Sequence, residues 1–74
     1  MALLVLLGMD TLWRIVGPDF VAGLIVAPDG GVIATAPILY GAFHGREIDY
    51  VVHECRRLGW RIDRLTGADL SALS

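Results

Sequence analysis

A chain of 74 residues allows one small domain, and a domain this size buries only about 60% of its unfolded surface. It is 55% apolar, with eight acids against six arginines, no lysine and a net charge of −2. That balance argues against direct nucleic-acid binding, which shows as a basic patch or stripe. The apolar surplus predicts an exposed apolar patch or a homo-oligomer that covers one. A single cysteine, Cys55, excludes an internal disulfide and fits a reducing cytoplasm.

Residues 1–10 form an apolar N-terminal segment. Its run Met1–Leu7 is far short of the ~20 residues a membrane helix needs. No positive residue precedes it and no small-residue cleavage site follows, so a signal peptide is not expected. A buried first strand, a turn of helix, or an upstream start ahead of a core beginning near Met9 remain open. The core is placed at residues 11–65 and a short tail at 66–74, where Asp69 is expected to cap one loose turn.

From Thr11 to Val16, Trp13 and Ile15 alternate with Leu12, Arg14 and Val16, a strand pattern that Gly17-Pro18-Asp19 ends. Residues 20–27 are nearly all apolar and read as an interior strand. Pro28-Asp29-Gly30-Gly31 has the chemistry of a tight turn, with glycine where positive φ is needed. Val32–Ala36 then reads as the return strand of a hairpin. Residues 37–44 fit either a helical turn with Pro37 in its first position or an irregular crossover.

From Gly45 onward Ile48, Val51, Val52, Cys55 and Leu58 fall on one stripe of an amphipathic helix. Arg46, Asp49, Tyr50, His53, Arg56 and Arg57 lie on the other side. Gly59 suits a left-handed helix end, and Trp60–Arg64 alternates as a half-buried strand. The order β-β-β-α-β predicts an α+β domain, an antiparallel sheet of three to four strands with one helix on one face. Trp13, Ile15, Leu24, Val26 and Ile33 are expected to meet Ile48, Val52 and Cys55 across that interface.

Catalytic and metal motifs are missing from the sequence. His53 and Cys55 are two apart on a helix, about 200° around it, and cannot share a metal. Asp49 and His53 are one turn apart, the geometry of a base and its orienter, but the serines are confined to the tail and such pairs are common on helix surfaces. Gly41–Arg46 leads into the helix without matching a phosphate-binding loop. No cofactor, metal or catalytic residue is expected, and Cys55 reads as buried and inert.

Surfaces remain. Arg46, Asp49, Tyr50, His53 and Arg57 make a mixed helix face. Its plain reading is a solvated face laced by Arg46–Asp49 and Glu54–Arg57 contacts. Its sharper reading is a partner-binding face, because tyrosine and arginine supply many interface hot spots. The acids Asp10, Asp19, Asp29 and Asp63 form a second candidate surface, able to occupy a basic groove meant for nucleic acid.

Residues Leu12–Leu24 (LWRIVGPDFVAGL), the Ala36-Pro37-Ile38-Leu39 step and the run Arg56–Ile62 (RRLGWRI) together resemble small orphan proteins encoded in phages and prophages. Such proteins include anti-CRISPR inhibitors. The resemblance covers most of residues 11–65 and contains no catalytic motif. It implies a non-enzymatic, stoichiometric inhibitor in the host bacterial cytoplasm, which binds a CRISPR surveillance complex or its nuclease and blocks access to target DNA. These inhibitors share little sequence, so no functional residue carries over. The expected partner is a host protein complex, with no nucleic-acid or membrane contact, and the expected state is a monomer or homodimer. The alternative is a phage structural or assembly subunit that self-associates.

Overall fold

The computed structural model describes residues 9–65. The expected apolar segment up to residue 8, and the tail 66–74 with Asp69, lie outside them. Four strands, β1 (Thr11–Val16), β2 (Val21–Val26), β3 (Val32–Thr35) and β4 (Arg61–Arg64), form one antiparallel sheet in the order β3-β2-β1-β4. Two helices, α1 (Pro37–Phe43) and α2 (Ile48–Leu58), lie between β3 and β4 in the chain. The architecture is α+β, with two helices where the sequence reading placed one.

Directly opposed residues of antiparallel strands share a face. Ile15 opposes both Ala22 and Ile62, and Trp13 opposes Leu24, so one face carries these side chains toward the helices. Ile15, Leu24 and Val26 are buried there with Leu39, Phe43, Val51 and Cys55. This confirms Ile15, Leu24, Val26 and Cys55 as core. Trp13, Ile48 and Ile62 pack half-buried against it. Val52 is half-buried and Leu58, at the end of its stripe, is exposed.

Ile33 is not core. The β2–β3 register shifts between Ile25, opposite Ala34, and Val26, opposite Val32, which leaves Ile33 as the extra residue of a bulge. The bulge breaks the period of two. Val32 takes the inward position at 2% exposure and Ile33 turns out at 49%. Simple alternation places them the other way round.

Helix α1 resolves the ambiguity at residues 37–44 in favour of a helix. Pro37 occupies its first turn, Leu39 and Phe43 are one turn apart and both buried, while Ile38 and Tyr40 face out. Pro37 and Gly41 weaken the helical signal, and seven residues are too few to show the period clearly. Burial of Leu39 and Phe43 supplies what propensity does not.

The amphipathic helix begins at Ile48, with Glu47 as N-cap, rather than near Gly45. Before it the chain runs along β3: Gly45 N–H donates to the Val32 carbonyl, and Val32 N–H donates to the Arg46 carbonyl. Ile48 N–H donates to the Gly30 carbonyl, which ties the start of α2 to the β2–β3 turn. At the other end Gly59 has φ 78°, and Trp60 N–H donates to the Cys55 carbonyl. A side chain there sits in the left-handed region, so Gly59→Ala is expected to cost about 1–2 kcal/mol. Urea denaturation checks this; an unchanged midpoint would argue against the cap.

Candidate functional site

Helix α2 presents Asp49, Tyr50, His53 and Arg57 to solvent, as its spacing predicts. Arg46 lies one residue before the N-cap Glu47 and reaches the group by another route: its guanidinium carbon stands 4.9 Å from the centroid of the Tyr50 ring. A guanidinium over an aromatic face is attracted by the ring quadrupole. The expected Arg46–Asp49 ion pair is not formed. The expected Glu54–Arg57 pair is, with Arg57 Nη2 donating to Glu54 Oε1 at 2.7 Å and Nε donating to Oε2 at 3.1 Å.

That hydrogen bond, followed by the guanidinium charge, holds the Glu54 carboxyl below its ordinary value. A carboxyl lowered on folding contributes stability that is present above its unfolded value and lost as pH falls through the folded one. Arg57→Ala is expected to return the Glu54 titration to the ordinary glutamate range. Carboxyl chemical shifts recorded against pH check this directly.

Sequence reasoning missed a neighbouring aromatic group. On α1, Tyr40 stacks on His44 with ring centroids 4.4 Å apart and planes at 23°. They are four residues apart, the spacing that places side chains one above the other on a helix. That signal is available only once residues 37–43 are read as helical. Tyr40 is 58% exposed, Ile38 63% and Tyr50 41%. The α1–α2 junction is thus flanked by two exposed pairs, Tyr40 with His44 before it and Arg46 with Tyr50 after it.

The second candidate surface is not assembled. Asp29 lies in the β2–β3 turn, Asp63 on β4 at the far edge of the sheet, and Asp19 in the β1–β2 turn at the opposite end from Asp29. Asp29 and Asp63 are also committed locally. Asp29 Oδ1 accepts a hydrogen bond from Gly31 N–H at 2.9 Å, which braces the turn, and Asp63 pairs with Arg14 at 3.3 Å and Arg61 at 3.9 Å. A charge distribution of another kind replaces that surface. Four of the six arginines, Arg14, Arg56, Arg61 and Arg64, gather around β4. Asp10, Asp29, Glu47 and Asp49 gather around the β2–β3 turn and the start of α2.

No hydrogen bond joins Asp49 and His53 among the described residues. No three His, Cys, Asp or Glu side chains among them could hold a metal together. Cys55 is fully buried in the core, and burial pushes its thiol up. Alkylation by a small thiol reagent is expected only in denaturant; rapid labelling of the native protein would contradict this burial. None of the described helices is long and apolar enough to cross a membrane.

Comparison with family models, with curated proteins and with solved structures found no match.

Proposed function

We propose that this chain is a non-enzymatic protein-binding inhibitor that engages its target through the α1–α2 junction. The observation that carries the reading is the pre-paired aromatic and cationic surface there: Tyr40 on His44, and Arg46 over Tyr50. Tyrosine and arginine dominate interface hot spots, and side chains already held in place lose less entropy on binding. Asp49, His53 and Arg57 continue this surface along α2. The target class rests on the resemblance alone: a CRISPR surveillance complex or its nuclease, in the host cytoplasm, with target-DNA binding blocked. A purified surveillance complex titrated with the protein tests it. Stoichiometric loss of target-DNA binding is expected; full DNA binding at excess protein, across the complexes tried, removes the inhibitor role.

One observation favours a second reading, a self-associating assembly subunit. The sheet face away from the helices carries Leu12, Val16, Val21, Ile25 and Ala34, with Val21 68% exposed and Ile25 36%. Light scattering separates the two. A monomer or dimer fits the inhibitor, whereas a larger oligomer that Ile25→Asp disperses establishes assembly through this face.

A further inference from the structure

We propose that the outer edge of β4, with the groove between it and α2, is a second docking site that takes an extended acidic peptide as a fifth strand. The inference stands apart from the junction surface and holds whether or not that surface binds a partner.

The two edges of the sheet differ. Along β3 the edge is occupied near Val32 by the segment that leads into α2, through Gly45 and Arg46. Along β4 no described residue plays that part. Leu65 N–H donates to the Leu12 carbonyl at 2.8 Å, and Leu65 is followed in register by the pairs Arg14–Asp63 and Val16–Arg61. In an antiparallel ladder alternate residues bond to one neighbour. Asp63 and Arg61 therefore bond to β1, and the backbone groups of Ile62 and Arg64 point away from the sheet. Such an edge is a template for strand addition, with main-chain bonds giving affinity and side-chain pockets giving specificity.

Beside that edge lies an open groove of about 410 Å³, lined by Trp13, Val52, Arg56, Trp60, Arg61, Ile62 and Asp63. Both indoles are fixed. Trp13 Nε1 donates to Thr11 Oγ1 at 2.9 Å, and Trp60 meets the Phe20 ring edge-to-face at 5.0 Å. Charge selects the occupant. Arg56, Arg61 and Arg64 border the edge with Arg14 close by, and Asp63, itself paired to Arg14 and Arg61, is the one acid of the described residues among them. A strand bearing carboxylates and apolar side chains complements this on both counts. Basic and aromatic side chains also suit single-stranded nucleic acid. The peptide is favoured because its main chain can pair with the outward N–H and C=O groups of the β4 edge, which no described residue covers, and a nucleic acid has no backbone that pairs in this way.

The test is a titration of the full chain with a fluorescent peptide, Val-Asp-Phe-Glu-Val blocked at both ends, in parallel with its counterpart bearing lysine for each acid. Saturable binding of the acidic peptide below 1 mM is expected, with at least tenfold weaker binding of the lysine form. The double variant Arg56→Glu, Arg61→Glu is expected to lose at least tenfold in affinity. Arg64→Ala and Arg64→Pro separate charge from strand addition. Both remove the guanidinium, but only proline also removes the outward N–H, at an edge position where proline is tolerated. Arg64→Pro is therefore expected to bind about three- to tenfold more weakly than Arg64→Ala. Circular dichroism confirms that each variant is folded. Absence of acidic-peptide binding at 1 mM overturns the proposal, as do equal affinities of the two Arg64 variants. Tighter binding of an eight-nucleotide oligothymidylate than of the peptide, lost in the double Arg variant, would reassign the groove to nucleic acid.

Discussion

Phe43→Ala is expected to destabilise the chain by about 3–5 kcal/mol. Phe43 is 2% exposed and belongs to the one core cluster that α1, α2 and the sheet share. Removing a buried phenylalanine costs about 3–5 kcal/mol in lost transfer energy and cavity formation. A chain of 74 residues has a total stability of about 4–11 kcal/mol at the usual value per residue. One substitution thus removes from about a quarter to all of the margin. The same change at Ile38, five positions earlier on the same helix and 63% exposed, is expected to cost under about 0.5 kcal/mol. Urea unfolding followed by circular dichroism separates the two. Equal effects would mean that α1 does not bury the face assigned to it.

The second large effect concerns binding. Tyr40→Ala and Tyr50→Ala are each expected to weaken the partner complex by about 2 kcal/mol or more, roughly thirtyfold. Each removes an exposed ring that is already paired, Tyr40 with His44 and Tyr50 with Arg46. Neither ring is core, so the melting temperature should barely move. That contrast distinguishes a recognition surface from a structural one. Asp29→Lys is not a clean test of the interface, since it also removes the carboxylate that braces the Gly31 N–H in the β2–β3 turn.

How much of this is legible in the sequence differs by element. Strands β1 and β2, the Pro28–Gly31 turn and helix α2 follow from apolar spacing and turn chemistry, because each is locally consistent over six or more residues or carries a strong glycine or proline signal. Helix α1 is legible only in part. Seven residues with a proline and a glycine form a helix because the core beneath Leu39 and Phe43 rewards it, and that is tertiary information. The inversion of Val32 and Ile33 comes from a single bulged residue, which shifts the phase of β3 by one without a mark in composition.

The candidate site divides similarly. Asp49, Tyr50, His53 and Arg57 share a face because helical period alone puts them there. Arg46 joins them by stacking over Tyr50, from a segment that is not helical. Grouping Asp29 with Asp63 requires strand order, which periodicity does not supply: they lie at opposite edges of the sheet. The gathering of four arginines at β4 is likewise a product of pairing, since Arg14 and Asp63 meet across 49 residues of sequence.

The central claim, that the α1–α2 junction binds a protein partner, is tested most directly by affinity capture of the tagged chain from a bacterial lysate containing CRISPR surveillance complexes. The Tyr40→Ala, Tyr50→Ala double variant is run beside it, and bound proteins are quantified by mass spectrometry. Stoichiometric recovery of surveillance-complex subunits or a nuclease by the natural chain, lost in the double variant, is the expected result. Recovery of the chain alone, or equal recovery of a partner by both forms, would contradict it.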